Sequence, residues 1–273
     1  MAHGVLTGFA TCNAASLYYE RRGSGPAVLL IAGSTGDAGN FARTADLLAD
    51  EFTTVVYDRR GNSRSPRPAG WTTTSVAEQA DDAAALIELL GLPPAAVFGA
   101  SAAGPIALDL INRHSRLVRA GIVQEPSIFS VLPDPAAALA PRRALLQETL
   151  RLHGPREAIK ALLCYLNDDE VLVAIPPDVL ERMLGNADTI ISIEGPGLAG
   201  WQPNVEDLRR SRVPITLLYA LETLPVFREM TSWLAERLRV QPMTVPGRHG
   251  FYYYRPQELA GVIRGVLKSL PTE

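Results

Sequence analysis

Short apolar segments alternate with amphipathic ones over the first 125 residues, and this alternation restricts the possible folds more than any other feature. Aromatic or continuous apolar runs that are typical of strands occupy residues 16–22, 27–32, 52–57, 95–100 and 117–123. Between two of them, apolar residues recur at helical spacing from Val76 to Leu90. Strands that alternate with helices over short connections form a mostly parallel sheet with helices on both faces. The sequence therefore predicts an α/β fold.

The alternation stops after residue 125 and resumes at residue 213. Residues 126–212 are rich in Ala, Leu, Pro and Asp, have mainly helical patterns and contain no convincing strand. Strand and helix patterns then return in the order strand, helix, strand, helix, up to about Leu270. We therefore expect one core made of residues 1–125 and 213–273, interrupted by a helical lid or cap of residues 126–212.

Composition excludes several classes of protein. Of the 273 residues, 47% are hydrophobic and 20% are charged, which predicts a folded globule with a large core. A net charge of −3 does not favour binding to nucleic acid or to an anionic membrane. No apolar run approaches the ~20 residues of a membrane helix, and residues 1–11 do not resemble a secretory signal. We expect a cytoplasmic protein, and the two cysteines, Cys12 and Cys164, exclude a disulfide-rich scaffold.

A serine lies between a predicted buried strand and a predicted helix, in the segment Gly99-Ala100-Ser101-Ala102-Ala103. Small neighbours allow a sharp strand-to-helix turn that exposes the hydroxyl at the carboxyl end of the sheet, close to the first amides of the helix. The alternative is that Ser101 only caps the helix. The segment resembles the G-x-S-x-G nucleophile elbow of the α/β-hydrolase family, with Ala103 in place of the last glycine.

The resemblance to the α/β-hydrolase family extends to two other strand ends. The strand ending in Ala32-Gly33-Ser34 lies where the family has His-Gly-x, and Ala32 replaces the usual histidine. The resemblance implies that the amides of Ser34 and Ala102 form an oxyanion hole. Residues 57–65 are similar to the family pattern Asp-x-Arg-Gly-x-Gly-x-Ser, and we assign them a structural role below the site.

A serine nucleophile needs a base, because its hydroxyl is a poor nucleophile at neutral pH. The four histidines are His3 near a terminus, His114 at a helix end, His153 in the insertion, and His249 between the last strand and the last helix. Only His249 lies where the resemblance implies a catalytic histidine. The aromatic run after it, residues 251–254, is expected to pack against the last helix rather than line a pocket.

The third member of a triad has two candidates, both glutamates that follow predicted strands. Glu125 follows the strand at 117–123, and Glu222 follows the strand at 213–220. Most relatives place the acid after the later strand, but there the usual position is occupied by Thr223. Some relatives, including haloalkane dehalogenases, place a glutamate after the earlier strand. We favour Glu125, with Glu222 as the alternative.

Together these residues predict a serine hydrolase without cofactor or metal, which cleaves a small, largely apolar ester, lactone or related acyl compound through an acyl-enzyme. A serine rather than an aspartate at position 101 argues against haloalkane dehalogenase or epoxide hydrolase chemistry. Other reactions on the same elbow remain open: carbon–carbon or thioester hydrolysis and cofactor-free haloperoxidase activity. So does a non-catalytic ligand-binding protein. The expected partner is a small apolar molecule, and the sequence leaves its identity and the oligomeric state open.

Overall fold

The computed structural model describes residues 4–92 and 94–270. Its strands, in chain order, are β1 (Leu6–Cys12), β2 (Ala15–Arg22), β3 (Ala27–Ile31), β4 (Thr53–Tyr57), β5 (Ala95–Ala100), β6 (Val118–Gln124), β7 (Ile215–Ala220) and β8 (Met243–Val245). They form one sheet in the order β1-β2-β4-β3-β5-β6-β7-β8. Strand β2 is antiparallel to β1 and β4, and all other neighbouring strands are parallel. The predicted mostly parallel sheet is confirmed.

Helices connect the strands and fill the long segment between β6 and β7. In chain order they are α1 (Ala42–Leu48), α2 (Val76–Leu89), α3 (Ala103–Arg113), α4 (Pro135–His153), α5 (Pro155–Asn167), α6 (Glu170–Ala174), α7 (Pro177–Gly185), α8 (Ala187–Thr189), α9 (Gly195–Leu198), α10 (Val205–Arg210), α11 (Pro225–Leu238), α12 (Phe251–Tyr254) and α13 (Pro256–Lys268). A π-helical turn, Ile190–Glu194, lies between α8 and α9. Short 3-10 turns lie at Ala38–Phe41, Ser115–Leu117 and Phe129–Val131.

The central strands are buried on both faces, which explains their continuous apolar sequences. Every residue of β3, β4 and β5 is buried. Alternate side chains of a strand point to opposite faces, so Leu29 belongs to the apolar cluster that includes α2, α3 and α11, while Leu30 belongs to the cluster that includes α1 and α13. Burying one such side chain contributes about 1.5–3 kcal/mol to folding. Two apolar layers therefore hold helices on both faces of the sheet, as predicted.

The segment between β6 and β7 is helical, as the sequence predicts, and its described residues contain no strand. Its helices run from α4 to α10, and the division of the chain into a core and a lid remains a prediction. Within residues 4–92 and 94–270, no helix is long and apolar enough to cross a membrane. Cys12 and Cys164 are both free thiols.

Strand β1 is the main element that the sequence analysis missed. It lies at the edge of the sheet, and Leu6 and Phe9 on it are 59% and 61% exposed. An edge strand with exposed apolar residues and a glycine has no clean alternation between buried and exposed positions. Its pattern is therefore much weaker than the pattern of the buried central strands.

Candidate active site

Ser101 follows β5 directly and occupies a sharp turn before α3. Its φ is +55°, in the left-handed region that non-glycine residues rarely adopt. Its amide donates a hydrogen bond of 2.9 Å to the carbonyl oxygen of Gln124 on β6. A Cβ added at Gly99 would lie 2.5 Å from the carbonyl oxygen of Ala103, so the turn requires glycine there. The strained junction expected from the small residues is present in the fold.

Glu125 directly follows β6, the strand that neighbours β5. Its φ is +44° and its side chain is fully buried. One carboxylate oxygen, Oε1, accepts a hydrogen bond of 2.6 Å from the amide of Ala220. The other, Oε2, accepts one of 2.8 Å from the hydroxyl of Thr223. A buried carboxylate is costly unless it is hydrogen-bonded or paired, and these donors hold its two oxygens in fixed positions.

His249 lies in the loop between β8 and α12, with its ring buried beside Glu125. Its Nδ1 atom is 2.5 Å from Oε2 of Glu125. The ring stacks on Phe227 of α11, with 4.0 Å between centroids and 28° between planes. Its carbonyl oxygen accepts a hydrogen bond of 2.7 Å from Nε2 of Gln124. These contacts fix the plane of the imidazole ring and its position relative to Glu125.

The other ring nitrogen of His249, Nε2, is buried and has no hydrogen-bond partner among the described residues. Because Nδ1 faces a carboxylate, the neutral ring has its proton on Nδ1 and an open lone pair on Nε2. Ser101 and His249 line the same cavity. A ring with its proton on Nδ1 can therefore accept a second proton at Nε2.

The hydroxyl of Ser101 contacts a second serine that the sequence analysis did not single out. Its Oγ lies 3.3 Å from Oγ of Ser127, whose amide donates to the carbonyl oxygen of Ser101 over 3.0 Å. Ser127 follows Glu125 by two residues, at the carboxyl end of the strand beside β5. This position could have revealed Ser127 from the sequence, since residues that follow neighbouring parallel strands meet at one edge of the sheet.

The remaining predicted acid and histidines lie elsewhere. Glu222 is exposed, and its amide donates to the carbonyl oxygen of Gly247 over 3.0 Å. His114 lies 2.7 Å from a carboxylate oxygen of Asp81, and His153 is exposed at the end of α4. His3 lies outside the described residues. The structure thus brings Glu125, and not Glu222, to His249.

The cavity above Ser101 is partly open to solvent, and the space of about 400 Å³ between its walls includes part of that solvent. Its insertion wall is mostly aliphatic, with one polar residue, Asn167, beside Ile159, Leu162, Leu163, Leu166 and Ile190. The facing wall includes Tyr252 and Tyr253, so the expectation that residues 251–254 only pack against the last helix was wrong for these two. They form their own short helix, α12, which turns both rings toward the cavity. Burial raises the pKa of both phenols, so both are hydrogen-bond donors at neutral pH.

The two predicted oxyanion-hole residues lie near Ser101: a Cβ added at Gly33, the residue before Ser34, would be 3.4 Å from Cβ of Ser101. Ser34 lines the cavity, and Ala102 is the residue between Ser101 and α3. Within the part of the chain that the structure describes, neither amide donates a hydrogen bond to another protein group. Over the same residues, no group of three His, Cys, Asp or Glu side chains could hold a metal ion.

The insertion also contacts the loop that carries His249, through a hydrogen bond and an ion pair. The amide of Gly250 donates to Oδ1 of Asn167, a buried residue at the end of α5. On the other side of the histidine, Nε of Arg248 lies 2.6 Å from a carboxylate oxygen of Asp168. Two consecutive insertion residues therefore hold the residues immediately before and after His249.

Comparisons with known proteins agree with this architecture. The sequence profile described as the alpha/beta hydrolase fold matches residues 26–152. The uncharacterized hydrolase YraK of Bacillus subtilis (strain 168) is 32% identical over 262 residues, covering 93% of each chain. The putative carbamate hydrolase RutD of Caulobacter sp. (strain K31) is 30% identical, covering 93% of this chain and 96% of that protein.

A solved structure has the same fold at lower identity. A thermophilic esterase from Thermogutta terrifontis superposes with a TM-score of 0.76 at 22% identity, covering 98% of this chain and 100% of the esterase. Two relatives that are 30% and 32% identical thus match nearly the whole chain, and the esterase shares its fold. The chain therefore belongs to the α/β-hydrolase fold family.

Proposed function

We propose that the protein is a serine hydrolase that cleaves small, largely apolar esters, lactones or related acyl compounds without a cofactor. One observation carries this proposal. Ser101 occupies a left-handed strand-to-helix turn and lines the same cavity as His249, whose Nδ1 is paired with Glu125 and whose Nε2 has no partner among the described residues. A nucleophile, a base and a carboxylate that orients the base are the groups that acyl transfer requires.

In the proposed reaction, the Ser101 hydroxyl turns from Ser127 toward Nε2 of His249. As Oγ attacks the substrate carbonyl, its proton passes to Nε2. The tetrahedral intermediate collapses, the bond from carbonyl carbon to leaving oxygen breaks, and the Nε2 proton passes to that oxygen. Water then attacks the acyl-enzyme with Nε2 again as the base, and Ser101 is released with its proton restored. Glu125 keeps the Nδ1 proton in place and stabilises the imidazolium that forms in each half-reaction.

The amides of Ser34 and Ala102 are the proposed donors to the oxyanion. Both belong to segments next to Ser101, and neither is engaged by another described group. One such donor contributes about 3 kcal/mol of transition-state stabilisation in a well-studied protease. Two backbone donors would therefore supply a large part of the rate enhancement.

The cavity supports an apolar acyl group as the substrate. Five aliphatic side chains of residues 126–212 form one wall, and we assign this segment the role of a lid over the core of residues 1–125 and 213–273. The phenols of Tyr252 and Tyr253 and the hydroxyl of Thr35 form a more polar side. This distribution favours a substrate with an aliphatic body and a small polar group.

Carbamates are a second candidate class, because a relative that is 30% identical is a putative carbamate hydrolase. The same nucleophile, base and oxyanion donors would act on a carbamate carbonyl. A substrate panel should therefore contain p-nitrophenyl esters of increasing acyl length, lactones, thioesters and aryl carbamates.

Covalent labelling tests the proposal directly. A fluorophosphonate probe should label the protein at Ser101, as mapped by peptide mass spectrometry. Ser101→Ala should abolish both labelling and turnover, whereas the neighbouring control Ser127→Ala should still be labelled at residue 101. Labelling at another residue would move the chemistry elsewhere. Saturable binding of a small acyl ligand without labelling or turnover would identify a non-catalytic binding protein instead.

A further inference from the structure

Arg59 holds the backbone next to the proposed oxyanion hole. Its guanidinium is only 1% exposed. Nε donates to the carbonyl oxygen of Ala32 over 2.9 Å, and Nη2 donates to the carbonyl oxygen of Gly33 over 2.8 Å. The side chain of Ala32 is a methyl group and cannot hold this loop itself. Arg59 therefore supplies two of the hydrogen bonds that hold the turn after β3, beside the bond of 3.0 Å that the Gly36 amide donates to the same Gly33 oxygen.

The carbonyl of Gly33 and the amide N–H of Ser34 belong to the same peptide unit. A peptide unit is planar, and in its trans form the C=O and N–H bonds point in opposite directions. Fixing the Gly33 oxygen therefore fixes the direction of the Ser34 N–H. A rotation of this unit would turn the Ser34 N–H away from an acceptor beside Ser101.

Glu194 holds Arg59 from the opposite side, and it belongs to the π-helical turn of the insertion. Its carboxylate is 2% exposed and accepts from Nη1 over 2.5 Å and from Nη2 over 2.8 Å. Asn62 and Gln79 also donate to Oε1, over 2.9 Å and 3.2 Å. A two-point contact between guanidinium and carboxylate fixes the plane of both groups. The orientation of Arg59 thus depends on a residue of the insertion.

We propose that Arg59 and Glu194 are positioning residues of the oxyanion hole, with Glu194 orienting Arg59 and Arg59 orienting the Gly33–Ser34 peptide. The inference rests on the proposed hydrolase function. It makes the insertion part of the catalytic apparatus, because a residue of the insertion is required to align the Ser34 amide. An ion pair that only ties the insertion to the core would affect stability and substrate binding instead.

Two variants separate these roles. Glu194→Gln is nearly isosteric but removes the charge that fixes Arg59. The double variant Arg59→Met/Glu194→Met removes both charges, so no unpaired buried ion is left to unfold the protein. The control is Thr189→Val, which removes two other bonds between the insertion and the core: the one that Oγ1 donates to the carbonyl oxygen of Gly61 over 2.9 Å, and the one that it accepts from Nη2 of Arg67 over 2.8 Å.

Each variant is assayed for kcat and KM on a p-nitrophenyl ester, for inhibition by a trifluoromethyl ketone that forms a charged adduct with the nucleophile, and for Tm. Removing one oxyanion donor costs about 10²- to 10³-fold in kcat in a studied protease. We expect the double variant to approach the lower figure, with a matching loss of ketone affinity. KM of the double variant should stay within about threefold of the wild-type value. In Thr189→Val, kcat, KM and the affinity for the ketone should all stay within that range.

Two results would overturn the inference while leaving the hydrolase function intact. One is an unchanged kcat and ketone affinity in the double variant with a lowered Tm. The other is a rise in KM alone. If the unmodified protein neither turns over esters nor labels at Ser101, the proposed function fails, and this inference fails with it. If the wild-type enzyme is active and the double variant has the same kcat, only the positioning role is refuted.

Discussion

Glu125 and His249 lie 124 residues apart in the chain, yet Oε2 of the glutamate is 2.5 Å from Nδ1 of the imidazole, and both side chains are buried. The same carboxylate is also held by the hydroxyl of Thr223. Thr223 occupies the position after β7 at which most relatives have their acid. The later strand therefore supplies a hydrogen bond to the carboxylate of the earlier one.

Glu125→Gln should lower kcat by about 10⁴-fold, as the equivalent change does in a serine protease. A glutamine cannot stabilise the imidazolium, and its amide favours the wrong imidazole tautomer. Glu222→Gln is the matched control and should retain near wild-type turnover, because Glu222 is exposed. Steady-state rates, with thermal melting to verify folding, decide between them. Loss of activity in Glu222→Gln alone would reverse the assignment of the acid.

The rate should rise with pH through a single ionisation. A protonated imidazole has no lone pair on Nε2, so His249 accepts the serine proton only in its neutral form. The measurement is kcat/KM for a p-nitrophenyl ester across the pH range in which imidazoles titrate. Product burst experiments establish which half-reaction limits the rate. A profile that is flat from about pH 5 to 9, with chemistry limiting, would exclude a histidine base.

Leu162→Phe should shorten the accepted acyl chain. Leu162 lines the cavity, so a larger ring there takes up part of the space that the acyl group would fill. We expect kcat/KM for long-chain esters to fall by about tenfold relative to acetate, because a few methylenes are discriminated on that scale. Leu152→Phe on exposed α4 is the control and should leave the preference unchanged. An equal loss for all chain lengths would place the acyl group elsewhere.

Tyr57→Phe should stabilise the protein by about 1 kcal/mol, because the Tyr57 hydroxyl is buried and has no hydrogen-bond partner among the described residues. Burial also raises the pKa of this phenol. The folded chain then keeps the proton while the unfolded chain loses it, so the free energy of unfolding falls as pH rises above the ordinary tyrosine range. The variant should lose part of that alkaline dependence in urea unfolding.

Tyr18→Phe provides the comparison at neutral pH. The Tyr18 hydroxyl donates to Glu20 over 3.3 Å, so removing it costs a hydrogen bond. This variant should be no more stable than the wild type. Equal gains from both substitutions would show that the unpartnered hydroxyl of Tyr57 is not the cause.

The nucleophile turn could be predicted because its determinants are local. Gly99 and the small residues around Ser101 are adjacent in sequence, and the close approach at Gly99 explains why they must be small. The choice between Glu125 and Glu222 stayed open, because both follow strands at the same edge of the sheet. Which carboxylate reaches the imidazole depends on the direction of each side chain, and this direction changes from one residue to the next. After β7, Thr223 contacts Glu125, whereas the adjacent Glu222 is exposed.

Contacts between the insertion and the core could not be predicted. Arg59 and Glu194 are 135 residues apart, and Glu194 lies in a π-helical turn, an irregular element without a clear sequence pattern. Tyr252 was assigned to packing because an aromatic run looks the same whether it covers a helix or lines a cavity. Edge strand β1 exposes its apolar residues and so lacks the periodicity that revealed β3 and β5.

The contacts of Asn167 and Asp168 with the loop that carries His249 limit which insertions can be exchanged between relatives. An insertion transplanted from a relative would remove the acceptor for the Gly250 amide and the counter-ion of Arg248. A chimera would therefore alter substrate choice and misplace His249 in the same step. Grafts that retain α5 through Asp168, or that transfer residues 248–250 together with the donor's insertion, should keep a working base.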